Sequence, residues 1–152
     1  MGEKILAQNK KARHDFYVEE TYETGIALQG TEVKSLRLGK ANLKDSFVRI
    51  EDEQAFLHNT HISPYPWGHQ FNHDPERVRK LLLHKRELRR LSGKTRERGY
   101  TLIPLKFYLK KGKIKLEIGL AKGKTLYDKR ETLKKRSADR EMEKAIKGFR
   151  DR

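Results

Sequence analysis

Lys113-Ile114-Lys115-Leu116-Glu117-Ile118-Gly119-Leu120 is the stretch that decides the fold class of this chain. Its apolar residues recur at every second position, with Lys113, Lys115 and Glu117 between them. A period of two places one set of side chains on each face of an extended backbone, which predicts a half-buried antiparallel strand. Upstream, Thr101–Leu109 reads as its partner, joined to it by a turn that contains Gly112. Pro104 lies inside that run and has no N–H to give a ladder, so it predicts an edge or a bulge. Further out, Phe47–Ile50 and Ala55–Ile62 flank Glu51-Asp-Glu-Gln54 as a hairpin. Phe16–Tyr22 is β-branched and aromatic, and Gly25 punctuates it before a second strand at Ile26–Gln29.

Helical signals are fewer. Thr31-Glu-Val-Lys-Ser-Leu-Arg37 reads as a short helix with Thr31 as its cap and Gly39 as its stop. Ser63–Asp74 holds two prolines, Trp67 and Gly68 without periodicity, and reads as a loop. Asp74-Pro75 predicts a helix start, since Asp caps free N–H groups and Pro suits the first helical position. Val78, Leu81, Leu82, Leu88 and Leu91 follow at helical spacing, and Gly93 ends the run. Arg79, Lys80, Arg86, Arg89 and Arg90 are then expected on the open side of that helix, available to phosphate.

Charge is unevenly spread along the 152 residues. Residues 1–75 hold 9 Lys/Arg and 11 Asp/Glu, whereas residues 76–152 hold 27 and 10. The asymmetry predicts an electropositive surface that attracts a polyanion, and nucleic acid is the expected one. Hydrophobic content of 35% against 38% charged supports one modest core. Without cysteine there is no disulfide or thiolate metal site, which suits a reducing cytosol. No apolar run approaches a membrane-spanning length of about 18 residues. Met1–Lys11 lacks the apolar centre of a signal peptide.

The candidate chemistry is thin. His58/His61 and His69/His73/Asp74 have spacings open to a metal, but residues three apart on a strand point to opposite faces, and the second group lies in a loop. No nucleophile elbow, Walker loop or dinucleotide fingerprint is present. The expectation is therefore no cofactor, no metal, no membrane partner and no catalysis. His14, Tyr65, Trp67, Tyr100 and Tyr127 sit beside basic or loop segments and are open either to base stacking or to core packing. Short strands and a basic face fit a small barrel of the oligonucleotide-binding kind. From Lys122 to Arg152 there are 12 basic and 6 acidic residues, with Ala138, Met142, Ala145, Ile146 and Phe149 on a thin helical stripe. Such a segment is expected to be disordered alone and helical on a partner.

The ordered set Asn9-Lys-Lys-Ala-Arg-His14, Glu23-Thr-Gly25, Gly30-Thr-Glu-Val-Lys-Ser-Leu-Arg37, Asp74-Pro75, Arg79-Lys-Leu-Leu-Leu-His-Lys85, Ala121-Lys-Gly-Lys124 and Asp128-Lys-Arg130 resembles the small protein B family. That family is the bacterial partner of transfer-messenger RNA, the SsrA RNA. The resemblance implies a mainly β fold, a closed antiparallel barrel with flanking α-helices. It implies binding to the tRNA-like domain of that RNA and its delivery to stalled ribosomes for trans-translation, by a protein that is not an enzyme. It divides the chain into a mobile segment 1–12, an RNA-binding barrel 13–121 and a basic tail 122–152 that becomes helical on the ribosome. The expected state is a cytoplasmic monomer.

The resemblance carries RNA-binding roles onto Asn9, Arg13, His14, Glu23, Gly25, Glu32, Lys34, Ser35, Arg37, Lys80, Leu83, His84 and Lys85. Lys and Arg would hold phosphates, and Gly25 would let RNA approach the backbone. Glu23 and Glu32 repel phosphate, so they either accept from base amino groups, orient arginines or form structural salt bridges. For the small-subunit decoding centre it implies Lys122, Lys124, Tyr127, Asp128, Lys129 and Arg130. Lys134, Arg136, Met142 and Ile146 extend that set by position. Tyr127 stands where family members carry His, and a phenol stacks but does not become cationic near neutral pH. The rival readings are a generic ribosomal-RNA-binding or ribosome-assembly protein and a histidine nuclease.

Overall fold

The computed structural model describes residues 3–68, 71–97 and 99–123. In chain order the elements are β1 (Lys4–Gln8), α1 (Ala12–Asp15), β2 (Phe16–Ile26), α2 (Gly30–Arg37), β3 (Ala41–Asn42), β4 (Phe47–Glu51), β5 (Gln54–His58), β6 (His61–Ile62), β7 (Arg79–Leu82), α3 (Lys85–Thr95), β8 (Tyr100–Lys110) and β9 (Lys113–Gly123). The protein is mainly β, and every strand pairing is antiparallel.

The alternating stretch that opened the reading is β9, and it pairs with β8 on one side and β2 on the other. From β8 the ladder runs through β4, β5 and β7 to β2, and so back to β9. Two-residue turns close both hairpins. Asp52 and Glu53 have φ of 49° and 59°, and Lys111 and Gly112 have 51° and 78°. Positive φ at both central residues matches the right-handed strand twist.

The bulge anticipated from Pro104 is present: the β8–β9 register shifts between Pro104 and Lys106. Its consequence is a change of face. Leu102 and Phe107, an odd number of residues apart, both enter the main core, whereas Ile103 and Leu105 pack with Ala12 and Ala121 in a second cluster. Without an extra residue in the strand, 102 and 107 would point opposite ways. β8 is therefore buried on both sides. The main core unites Leu36, Val48, Leu57, Ile62, Leu81, Leu91, Leu116, Ile118 and Leu120.

Four expectations fail. Residues 4–8 belong to the folded body: β1 pairs with β8 from Lys4↔Leu109 to Gln8↔Lys106, and Leu6 is buried. Polar composition hid a strand with a single inward residue. Phe16–Ile26 is one strand, with Gly25 inside it opposite Leu82. The helix expected from Asp74-Pro75 begins only at Lys85. Asp74 does accept from the Glu76 amide, at 3.0 Å, but Arg79–Leu82 is drawn into β7 by pairing with β5. A cap contributes about 1 kcal/mol, less than burying Leu81 and filling two strand edges. Gln29, rather than Thr31, precedes the first turn of α2. The tail helix expected over 122–152 lies, apart from Lys122 and Gly123, outside the described residues.

If β1 is part of the body, Leu6→Ala lowers unfolding stability by about 2–3 kcal/mol in urea titration; a mobile leader at this position predicts no change.

Candidate nucleic-acid interface

Glu32 shows how local sequence builds this site. It is the third residue of α2, and its Oε1 accepts from the Gln29 amide at 2.7 Å, tying down the helix start. The carboxylate is fully buried, and so is the Arg79 side chain that meets it. Arg79 Nε donates to Glu32 Oε2 at 2.7 Å, Arg77 Nη2 donates to Oε1 at 2.6 Å, and Arg79 Nη1 donates to the Thr60 carbonyl at 2.7 Å. Burial pushes the Glu32 carboxyl up, but hydrogen bonds from Arg77, Gln29 and Arg79 overcome it and leave the group below the usual carboxylate range. Burial pulls the Arg79 guanidinium down, and Glu32 opposes that. Glu32 and Arg79 thus have no surface to offer RNA. Ser35 is buried as well, and its hydroxyl donates to the Ser63 carbonyl at 2.7 Å.

The carboxylates of β2 neutralise a second group of cations. Glu20 pairs with Arg90, and the Arg90 guanidinium with the Tyr22 hydroxyl holds its carboxyl down at about 2. Glu23 Oε1 accepts from Tyr108 at 2.6 Å and from Lys110 at 3.1 Å, which lowers its pKa, Tyr108 contributing most. Tyr108 moves the other way: burial and the Glu23 carboxylate raise its hydroxyl. Arg89 faces Glu53 at 3.6 Å. Of the five cations expected on the open side of a helix, Arg79 is thus buried, Arg89 and Arg90 are paired, and only Lys80 and Arg86 are exposed without a carboxylate among the described residues.

The remaining site residues fall into three places. Asn9 follows β1 and donates to the Pro104 carbonyl at 2.9 Å. With Lys10, Arg13 and Lys106 it lines a recess of about 310 Å³, closed by Gln8, Leu105 and Glu117. His14, on α1 beside Arg13, is exposed with Nδ1 3.0 Å from Asp15. Lys34 and Arg37 are exposed one turn apart on α2. Lys80 is exposed on β7, where its carbonyl accepts from the Ala27 amide. Leu83, His84 and Lys85 form the β7–α3 junction, with the His84 amide donating to Glu87 at 3.1 Å. Gly25 is a place of close approach, but what approaches is protein: a Cβ there would lie 3.3 Å from the Leu82 Cβ.

Lys122 ends β9 over the Tyr100 ring, 4.7 Å from its centre, and Lys94 approaches the same ring at 5.6 Å. Lys124, Tyr127, Asp128, Lys129, Arg130, Lys134, Arg136, Met142 and Ile146 lie outside the described residues. Among the described histidines, His73 is buried between the Thr31 hydroxyl and the Ile62 carbonyl, each at 2.8 Å, and His58 stacks on Phe47. No cluster of metal-ligating side chains occurs among the described residues. Sequence reasoning missed Lys10 and Lys106 in the recess, and missed that Arg79 turns inward. For the latter no sequence signal was available: Arg79-Lys80-Leu81-Leu82 has no period-two hydropathy, and its alternation, buried, exposed, buried, exposed, exists only in the paired strand.

Exposed cations that form no ion pair among the described residues, mounted on an antiparallel β framework, define a small nucleic-acid-binding protein. The chain belongs to the SmpB protein family, whose model matches residues 6–148. It is 60% identical over 149 residues to the SsrA-binding protein of Geobacillus thermodenitrificans, covering 98% of this chain and 94% of that one. The SsrA-binding protein of Carboxydothermus hydrogenoformans is 62% identical over 145 residues, 95% of this chain and 97% of its own. A solved structure described as "tmRNA-SmpB: a journey to the center of the bacterial ribosome" superposes with a TM-score of 0.66 at 56% identity, over 77% of this chain and 82% of that one. The family resemblance drawn from the motifs is borne out.

Glu32→Gln leaves Arg79 buried without its counter-charge, and a loss of about 3–5 kcal/mol in denaturant titration is expected. Glu20, Glu23 and Glu32 all titrate below their ordinary value in the folded state, so the unfolded chain takes up protons first. Their stabilisation is complete above about pH 4.5 and falls as pH drops through the folded values, that of Glu20 lying at about 2. Thermal melts from pH 7 to 2 should show this decline, with a shallower slope in Glu32→Gln.

Proposed function

We propose that this chain binds the tRNA-like domain of transfer-messenger RNA, the SsrA RNA, and brings it to stalled ribosomes for trans-translation. The observation that carries the proposal is the near full-length match to SsrA-binding proteins at 60–62% identity. Lys10, Arg13, Lys34, Arg37, Lys80, Lys85 and Arg86, which form no ion pair among the described residues, supply the phosphate contacts. Glu32 and Ser35 act from inside, by holding α2 in place, and Glu23 acts by holding Tyr108 and Lys110. The role is binding and placement, not turnover.

The ring of pairings β8–β4–β5–β7–β2–β9 supports a closed, oligonucleotide-binding-like barrel as the body. The body begins at β1 rather than at residue 13. The segment from Lys122 onward is the decoding-centre tail, with Lys122, Lys124, Tyr127, Asp128, Lys129, Arg130, Lys134 and Arg136 as its contacts. A helix of about 20 residues reaches about 30 Å, a useful length in an empty message channel. An intact message would compete for the same space, so selection works by exclusion and reads no codon. The protein works as a cytoplasmic monomer in this reading. Among the described residues no helix is long and apolar enough to cross a membrane.

Recovery of crosslinked RNA from cells should return transfer-messenger RNA in excess over ribosomal fragments; the reverse ranking overturns the assignment. Truncation after Gly123 keeps β9 whole, and should preserve affinity for the tRNA-like RNA while abolishing rescue of stalled ribosomes. Equal loss of both would end the division between body and tail. Affinity should fall with salt at a log–log slope of about −0.7 to −0.9 per phosphate contacted.

A further inference from the structure

The two most exposed large apolar side chains among the described residues belong to one loop: Trp67 at 67% and Phe71 at 77%. Neither is used by the fold. Tyr65 stands beside Trp67, its ring edge-on with centres 5.2 Å apart. Lys34 of α2 lies over the Tyr65 ring, 5.4 Å from its centre. An exposed indole in contact with a second ring, with a cation over that ring and another exposed phenyl four residues on, is a rare thing to leave in water.

The described residues on either side of this loop are tied in place. Asn72 acts as a side-chain clamp: its Oδ1 accepts from the Tyr65 amide and its Nδ2 donates to the Tyr65 carbonyl, each at 2.8 Å. Gly68 closes a turn on Tyr65, with its amide donating to that same carbonyl at 2.9 Å. A Cβ on Gly68 would lie 2.7 Å from Asn72 Nδ2 and 3.0 Å from Thr31 Cγ2, so the turn sits against α2 with no room to spare. Both ends are anchored to the same neighbourhood: the Ser63 amide donates to the Lys40 carbonyl at 3.0 Å, and His73 is held by Thr31. Such order lowers the entropy lost when a ligand binds.

We propose that Tyr65, Trp67 and Phe71 form a stacking site for unpaired RNA bases, with Lys34 and Arg37 holding the adjoining phosphates. Stacking on an aromatic face accepts any base and requires no hydrogen bond. Charge selects the partner. Lys34 and Arg37 make no ion pair among the described residues, and the buried Glu32 between them and β7 is satisfied by Arg77 and Arg79. An unpaired strand supplies aromatic planes and phosphates at alternating positions, matching rings and cations together. The inference rests on the RNA-binding reading above, and adds to it a contact for single-stranded rather than helical RNA.

Trp67 is the only tryptophan of the chain, so its emission reports on this loop alone. Oligoadenylate titrated into the full-length protein should quench that emission saturably, and an RNA duplex of equal length should not. Trp67→Ala and Phe71→Ala should each weaken oligoadenylate binding by about 5- to 10-fold or more, with Trp67→Phe within about 2-fold of wild type and thermal midpoints unchanged. Lys34→Ala should reduce the salt slope by about one phosphate. Saturable oligoadenylate binding with emission unmoved, or with unchanged affinity in Trp67→Ala, overturns the proposal. So does a Trp67→Ala defect confined to association with RNA-free ribosomal proteins, which would make the patch a protein contact. A parallel mobility shift of the tRNA-like RNA separates the two readings: its failure in the wild-type chain sinks the proposed function, whereas its success with no Trp67 response sinks only the stacking site.

Discussion

The buried Glu32 carboxylate, shared by Arg77 and Arg79, is the interaction on which the arrangement of this molecule depends. It joins α2, at the end of the β2 side of the chain, to β7 on the far side of a long loop. Arg79 also binds the Thr60, Asp74 and Pro75 carbonyls, so the same guanidinium fixes the loop that carries the aromatic residues. Charges this deep lose hydration that only close, well-directed partners restore. The network therefore has one low-energy geometry, and that geometry places Lys34 beside Tyr65.

A second principle is how acids are distributed. Glu19, Glu20 and Glu23 line up along β2, and each has an assigned partner. Glu19 accepts from Tyr100, Glu20 takes Arg90, and Glu23 takes Tyr108 and Lys110. These contacts tie β2 to α3 and β8, and Arg90 and Lys110 offset the charges of Glu20 and Glu23. Several exposed cations keep no ion-pair partner among the described residues, so the protein's field toward a polyanion depends on where they stand as well as on net charge.

Much of the fold was legible where one physical signal dominated. The period-two pattern of β9, the proline bulge of β8, the β4–β5 hairpin and α2 all follow from residues close in sequence. The signal failed where two periods overlapped. Val78, Leu81, Leu82, Leu88 and Leu91 satisfy a helical spacing, yet the first part of that run is a strand, because Leu81 and Arg79 share the inward face of β7. Leu6 offered one apolar residue in a polar segment, too little to reveal an edge strand. Of the site, Arg13, Lys34, Arg37, Lys80 and Lys85 are exposed as their chemistry suggested, whereas Glu32, Ser35 and Arg79 face inward.

Alternation, turn residues and ordered motifs are properties of neighbours along the chain, and the sequence by itself determined from them the mainly β class, the family and the polyanion partner. Burial is a property of neighbours in space. Only the tertiary structure decided that a glutamate and an arginine within basic motifs would be structural, and that the free cations would come from both halves of the chain. The halves differ strongly in net charge, but antiparallel pairing lays β2 of the first between β7 and β9 of the second. Electrostatic partners are therefore chosen across the sheet, at distances of a few ångströms that no count along the sequence can supply.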